Sequence, residues 1–108
     1  MEFLVSMHVT FPAPDVLSDE DIRLLYEAEG EVAQDYIARG LLRRVWRIPG
    51  SQWNWMLWDV ADATQLHRLL KGFPLYRMCP QIDVHPLADN HNDPVVRAEG
   101  PDRIAMSA

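Results

Sequence analysis

The chain has little cysteine, little positive charge and no long apolar run, and each shortage removes a class of protein. Its 108 residues contain a single cysteine, Cys79, so no intramolecular disulfide framework is expected. Lys and Arg total 10 against 16 Asp and Glu, a formal net charge of −6. Such a chain lacks the basic surface that neutralises phosphates, and nucleic acid is not an expected partner. No window of about 18 apolar residues occurs, so no membrane span is expected. The start, Met1-Glu2-Phe3-Leu4-Val5, lacks the basic region of a signal peptide, which together with the lone thiol points to the cytoplasm. There is no Gly-rich phosphate loop and no nucleophile elbow. His67, His85 and His91 have no ligand spacing and Cys79 has no partner ligand, so no metal site is expected.

What is present suits one small domain with a limited core. Four Trp in so short a chain carry more aromatic area than such a core hides, so some should face a pocket or another subunit.

Phe3 to Phe11 alternates as a strand, with Phe3, Val5, Met7, Val9 and Phe11 on one face. Leu4, Ser6, His8 and Thr10 form a mixed face, expected to line a site or a subunit interface. Ser18 and Asp21 resemble a capping box that opens a helix running to about Ala38, stopped by Arg39-Gly40. Leu41 to Ile48 and Gln52 to Val60 read as a hairpin about Pro49-Gly50. Asp62 caps a second helix, Ala63 to Lys71, and a fourth strand is expected around Gln81 to His85. Residues 1–88 then form the domain, and 89–108 read as a C-terminal arm or flexible tail. The order is β-α-β-β-α-β, an α+β ferredoxin-like sandwich. Its helices cover one sheet face. The other needs a cover, most simply a second copy, so a dimer at least is expected.

Glu29 does not fit its surroundings. Its helical neighbours are Ile22, Leu25, Tyr26, Val32, Ala33 and Tyr36, an apolar stripe. Burial there would raise its pKa and make it a usable acid/base near neutral pH; a snorkelling or ion-paired side chain is the plain alternative. Alternation pairs Arg44 with Trp46 on one strand face and Arg43 with Arg47 on the other. Such arginines meet either a carboxylate substrate or, more commonly, a surface partner. Asn54 lies in a strand between Trp53 and Trp55, where an amide serves either as a structural hydrogen bonder or as an enolate donor. His8, on the mixed face, is more often a structural residue than a catalyst.

Three stretches together resemble the muconolactone Δ-isomerase family. They are Met1 to Val9 ending at Pro12; Glu29-Gly30-Glu31-Val32-Ala33-Gln34 with Gly40 and Arg43-Arg44-Val45-Trp46-Arg47-Ile48-Pro49-Gly50; and Asn54 with Trp58-Asp59-Val60, Leu66-His67 and Phe73-Pro74-Leu75. The resemblance implies a ferredoxin-like subunit dimerised sheet to sheet as a dimeric αβ-barrel, with ten subunits in the typical member. It implies a double-bond shift in a butenolide without metal or organic cofactor. The family's helix carboxylate falls on Glu29 and its strand asparagine on Asn54. It also implies an arm reaching into a neighbouring subunit's pocket. Ser6 stands where members often carry a basic residue, Ser51-Gln52 replaces His-Tyr, and Trp53 replaces a small residue.

The expectation is an isomerase with Glu29 and Asn54 catalytic. His8, Ser6, Arg47, Gln52, Trp53 and Trp58 are expected to bind a small-molecule lactone or related unsaturated carbonyl compound. Two alternatives stand beside it. One is a cofactor-free oxygenase or cyclase, suited to an aromatic pocket of Trp53, Trp55 and Trp58. The other is a non-catalytic binding member, which would show Glu29 salt-bridged and exposed.

Overall fold

The computed structural model describes residues 1–100; the end of the expected arm, 101–108, lies outside the described residues. The elements in chain order are β1 (Glu2–His8), α1 (Asp19–Ala38), β2 (Leu42–Arg47), β3 (Trp53–Asp59), α2 (Ala63–Lys71), β4 (Gln81–Leu87) and α3 (Pro94–Glu99), with a 3-10 turn at Tyr76–Met78. The strands form one antiparallel sheet in the order β2-β3-β1-β4. This is the expected ferredoxin-like plan with a short helix appended.

Local chemistry sets the element ends. The Asp21 N–H donates to Ser18 Oγ at 3.2 Å and the Ser18 N–H to Asp21 Oδ2 at 3.1 Å, so the capping box forms in both directions. Gly40, at φ 74°, provides the left-handed residue that turns the chain out of α1. The Gln65 N–H donates to Asp62 Oδ1 at 2.8 Å and starts α2. In the β2–β3 hairpin, Ser51 Oγ donates to the Ile48 carbonyl at 2.8 Å and accepts from the Trp53 N–H at 3.1 Å.

Three details differ from the sequence expectation. β1 stops at His8, because the Val9 and Thr10 N–H groups turn to the carbonyls of Gln52 and Met78, at 3.1 and 2.7 Å. β4 continues through Pro86 to Leu87. As an edge strand bonded only to β1, it leaves one side of its backbone free, and proline is tolerated there. A bulge between Leu42 and Arg44 takes Arg43 out of the alternation. Arg43 therefore does not share a face with Arg47; its Nη1 approaches Asp59 Oδ2 at 4.0 Å.

The core lies between the sheet and the two long helices. Phe3, Val5 and Met7 of β1, Met56 and Trp58 of β3, and Leu66, Leu69 and Leu70 of α2 are buried. Each such side chain contributes about 1.5–3 kcal/mol on burial. Tyr36, the buried residue of α1, packs edge-on to Phe73 at 5.2 Å and tilts against Trp58 at 5.7 Å. Its hydroxyl donates to the Leu69 carbonyl at 2.8 Å and so ties α1 to α2.

Neither α1 nor α2 covers the opposite sheet face. Trp46 faces Trp55 across the β2–β3 pair, with the Arg44 guanidinium 4.9 Å over the Trp46 ring. His8 lies against Trp53 at 4.8 Å, and His85 stacks on Trp55 at 6.5 Å. Three of the four tryptophans thus sit on the open face, and Trp58 alone enters the core. No helix among the described residues is long and apolar enough to cross a membrane.

Candidate active site

A cavity of about 230 Å³ opens between α1, the helix side of the sheet and the segment after α2. Its walls are chiefly apolar, built by Met7, Val9, Val45, Met56, Phe73 and Leu75. Its charged and amide groups are Glu29 from α1, Arg47 from β2 and Asn54 from β3. A small apolar cavity with a few convergent polar groups is the usual form of a small-molecule site.

Glu29 reaches this cavity because it lies on the inner stripe of α1, where Ile22, Leu25, Val32 and Ala33 are also half-buried. Its Oε2 accepts the Leu75 N–H at 2.8 Å. Burial pushes the carboxyl pKa up, and the Leu75 hydrogen bond offsets part of that rise by favouring the anion. Oε1 makes no hydrogen bond among the described residues, and Glu29 forms no ion pair there. One oxygen is therefore held and the other is available to a ligand.

Strand alternation brings Asn54 and Arg47 to the same cavity. Asn54 is the register partner of both Met7 and Arg47, on the helix side of the sheet. Arg47 Nε donates to Asn54 Oδ1 at 2.9 Å. At the rim, Tyr26 Oη donates weakly to Gln52 Oε1 at 3.4 Å, linking α1 to the β2–β3 turn.

The remaining expected residues lie elsewhere. Ser6, His8 and Trp53 point to the open face, since even-numbered positions of β1 and their β3 partners project away from the helices. The cavity lies on the apolar face of β1, where Met7 and Val9 line it. Trp58 is fully buried beside Tyr36 and Phe73, and its indole N–H has no partner among the described residues. Gln52 meets the rim through the Tyr26 hydroxyl and through its own carbonyl, which accepts the Val9 N–H at 3.1 Å.

Two site features escaped the sequence reading. The Leu75 N–H that grips Glu29 is a backbone group 46 residues away, invisible to any side-chain pattern. Cys79 also lines the cavity; its Sγ donates to the Leu75 carbonyl at 3.3 Å. Burial and the neighbouring Glu29 push the thiol pKa up to about 11. A larger, more open groove of about 520 Å³ near the start of α1 contains Asp21 and Arg77. There the Asp21 carboxylate is already engaged in the capping box.

The fold and cavity define a ferredoxin-like protein with one acidic group held in an apolar small-molecule pocket. A family model described as muconolactone delta-isomerase matches residues 1–93. The muconolactone delta-isomerase of Acinetobacter baylyi is 30% identical over 97 residues, covering 90% of this chain and 96% of that protein. That of Cupriavidus pinatubonensis is 32% identical over 92 residues, covering 82% and 92%. A crystal structure of muconolactone isomerase superposes with a TM-score of 0.79 at 30% identity, covering 87% of this chain and 95% of that one. A 5-chloro-2-hydroxyhydroquinone dehydrochlorinase from Burkholderia phenoliruptrix, at 13% identity and a TM-score of 0.58, shares the fold alone. The chain belongs to the muconolactone delta-isomerase family, and it is an isomerase of that type.

Proposed function

We propose that the cavity shifts a double bond in a lactone or related unsaturated carbonyl compound by moving one proton. Glu29, as the carboxylate, takes the proton from the carbon beside the carbonyl, and the electron pair passes to the carbonyl oxygen. The Asn54 amide donates to the resulting dienolate. Glu29 then returns the same proton at the vinylogous carbon. Protons and electrons balance within substrate and Glu29, so the cycle requires no oxidant, metal or organic cofactor.

The observation that carries this reading is Glu29 itself: half-buried, raised in pKa, held by one oxygen and without an ion pair among the described residues. A base tuned upward is a better proton acceptor near neutral pH than an ordinary carboxylate. The relatives' activity makes muconolactone the first substrate to try. The alternatives draw less support. An oxygenase or cyclase reading rested on an aromatic pocket, and Trp53 and Trp55 lie on the open face while Trp58 lies in the core. A non-catalytic member would have Glu29 exposed and salt-bridged.

The protein is read as a cytoplasmic homo-oligomer built on a sheet-to-sheet dimer, since the open aromatic face requires a cover. Within the expected arm, residues 94–99 form α3 with Val96 buried. In this reading the arm engages a neighbouring subunit.

The test is Glu29→Gln assayed with muconolactone and simple butenolides, with deuterium uptake from D₂O as a second readout. General acid/base catalysis contributes about 10²–10⁴-fold, and turnover should fall by at least that much with the fold intact. A variant with full turnover would overturn the reading.

A further inference from the structure

We propose that Arg47 is a positioning residue that decides which end of the Asn54 amide meets the substrate; this rests on the enolate reading above. The two residues are register partners on β2 and β3, and both line the cavity. Direct partners on adjacent strands hold their Cβ atoms about 5 Å apart, so the contact is fixed by the sheet.

The direction of the bond follows from the chemistry of arginine. A guanidinium carries five N–H donors and no acceptor. The amide atom 2.9 Å from Arg47 Nε has to be the oxygen, because an NH₂ there would set donor against donor. The amide's NH₂ is then the end left over, and it makes no hydrogen bond among the described residues. That end stabilises a developing enolate oxygen, whereas a carbonyl oxygen in its place would repel it. An asparagine alone has two orientations of nearly equal shape. Arg47 selects the productive one.

Three other arginines pair differently, while Arg97 likewise donates to an asparagine oxygen, Asn92 Oδ1, at 3.3 Å. Arg23, Arg39 and Arg43 each approach a carboxylate, at Glu20, Asp35 and Asp59. Arg47 has no carboxylate partner among the described residues and takes the amide of Asn54 instead. Its charge is therefore spent on orienting a neutral donor.

The experiment is a double-mutant cycle of Arg47→Met and Asn54→Ala with muconolactone as probe. Methionine keeps the apolar stem of an exposed side chain, so the fold should survive. Asn54→Ala should lower kcat by roughly 10²–10³-fold. Arg47→Met alone should lower kcat by about tenfold or more with KM little changed. In the Asn54→Ala background the same change should cost less than about twofold, because residues acting as a unit are not additive. A raised KM with unchanged kcat would make Arg47 a substrate-binding cation and overturn the inference, as would additive losses. Full activity in Asn54→Ala would overturn the enolate reading and the inference with it. A substrate-free measurement covers an inactive probe: the Asn54 side-chain ¹⁵N order parameter should drop in Arg47→Met. An unchanged order parameter would overturn the proposal.

Discussion

The backbone N–H of Leu75 donates to Glu29 Oε2 at 2.8 Å, joining the segment after α2 to the middle of α1. The bond acts against desolvation. Burial favours the neutral acid, the N–H favours the anion, and burial is the larger influence, so the pKa stands above its ordinary value. Activity should accordingly rise with pH through an apparent pKa above the usual glutamate range of about 4.3. A pH profile of kcat/KM with its acid limb at an ordinary glutamate value would count against Glu29 as the base.

The same shift has a consequence for stability. A carboxyl whose folded pKa is raised binds its proton more tightly folded than unfolded. Between the unfolded pKa, about 4.3, and the raised folded value, unfolding releases a proton and stability declines as pH rises. Above that window the cost is constant. Glu29→Gln removes this slope, so relative to the parent it should gain stability as pH rises through the window. Urea midpoints from pH 4 to pH 7 measure the difference, and parallel curves for the two proteins would refute it.

Gly72 makes room for the contact between the helices. A Cβ there would lie 2.2 Å from Tyr36 Oη and 3.2 Å from the Leu69 carbonyl, the pair joined by the 2.8 Å hydrogen bond. The need for glycine is steric, since its φ of −74° suits any residue. Gly72→Ala should destabilise by about 1–3 kcal/mol. In a Tyr36→Phe background, which has already lost the hydroxyl, the same substitution should cost less. Equal costs in both backgrounds, by denaturant unfolding, would show that the clash is relieved elsewhere.

Much of the fold was legible in the sequence because its signals are local. Ser18 with Asp21, Arg39-Gly40, Asp62 and Pro49-Gly50 each act within a few residues, and each produces the expected boundary. Glu29 was legible through helical periodicity, which needs no partner to be known. The sheet-borne part was legible only in part: Asn54 and Arg47 line the cavity as expected, but the lining from β1 was not read. β1 has two faces, and choosing the one that meets the ligand depends on how far the helices stand off the sheet. Met7 and Val9, on the apolar face, line the cavity, while Ser6, itself buried, and His8 lie on the open face. The bulge at Arg43 was hidden for a related reason, since it depends on the pairing of β2 with β3.

Cys79 tests the character of the cavity. Its thiol lines the wall with its pKa pushed up to about 11 by burial and by Glu29. At pH 8 the thiolate is then about 0.1% of the total, and only the thiolate attacks an alkylating agent. Iodoacetamide should label the folded protein roughly 10²-fold more slowly than the urea-unfolded chain. Comparable rates for the two states would mean that the thiol is open to solvent and the pocket wetter than its lining indicates.

The open sheet face gives the last prediction. Trp46, Trp53 and Trp55 lie there with Leu4 and Leu57, in a surface interrupted by His8, His85 and Arg44. A contiguous apolar patch of this kind commonly marks an interaction surface. If a second copy covers it, Trp55 lies within the buried area, and a carboxylate in its place would be stranded there without a partner. Trp55→Glu should therefore convert the assembly to smaller species by analytical ultracentrifugation. The subunit fold should persist, because Trp55 projects away from the core formed by Val5, Met56 and Trp58. A parent that sediments as a monomer, or a variant that assembles like the parent, would assign the aromatic face to some other use.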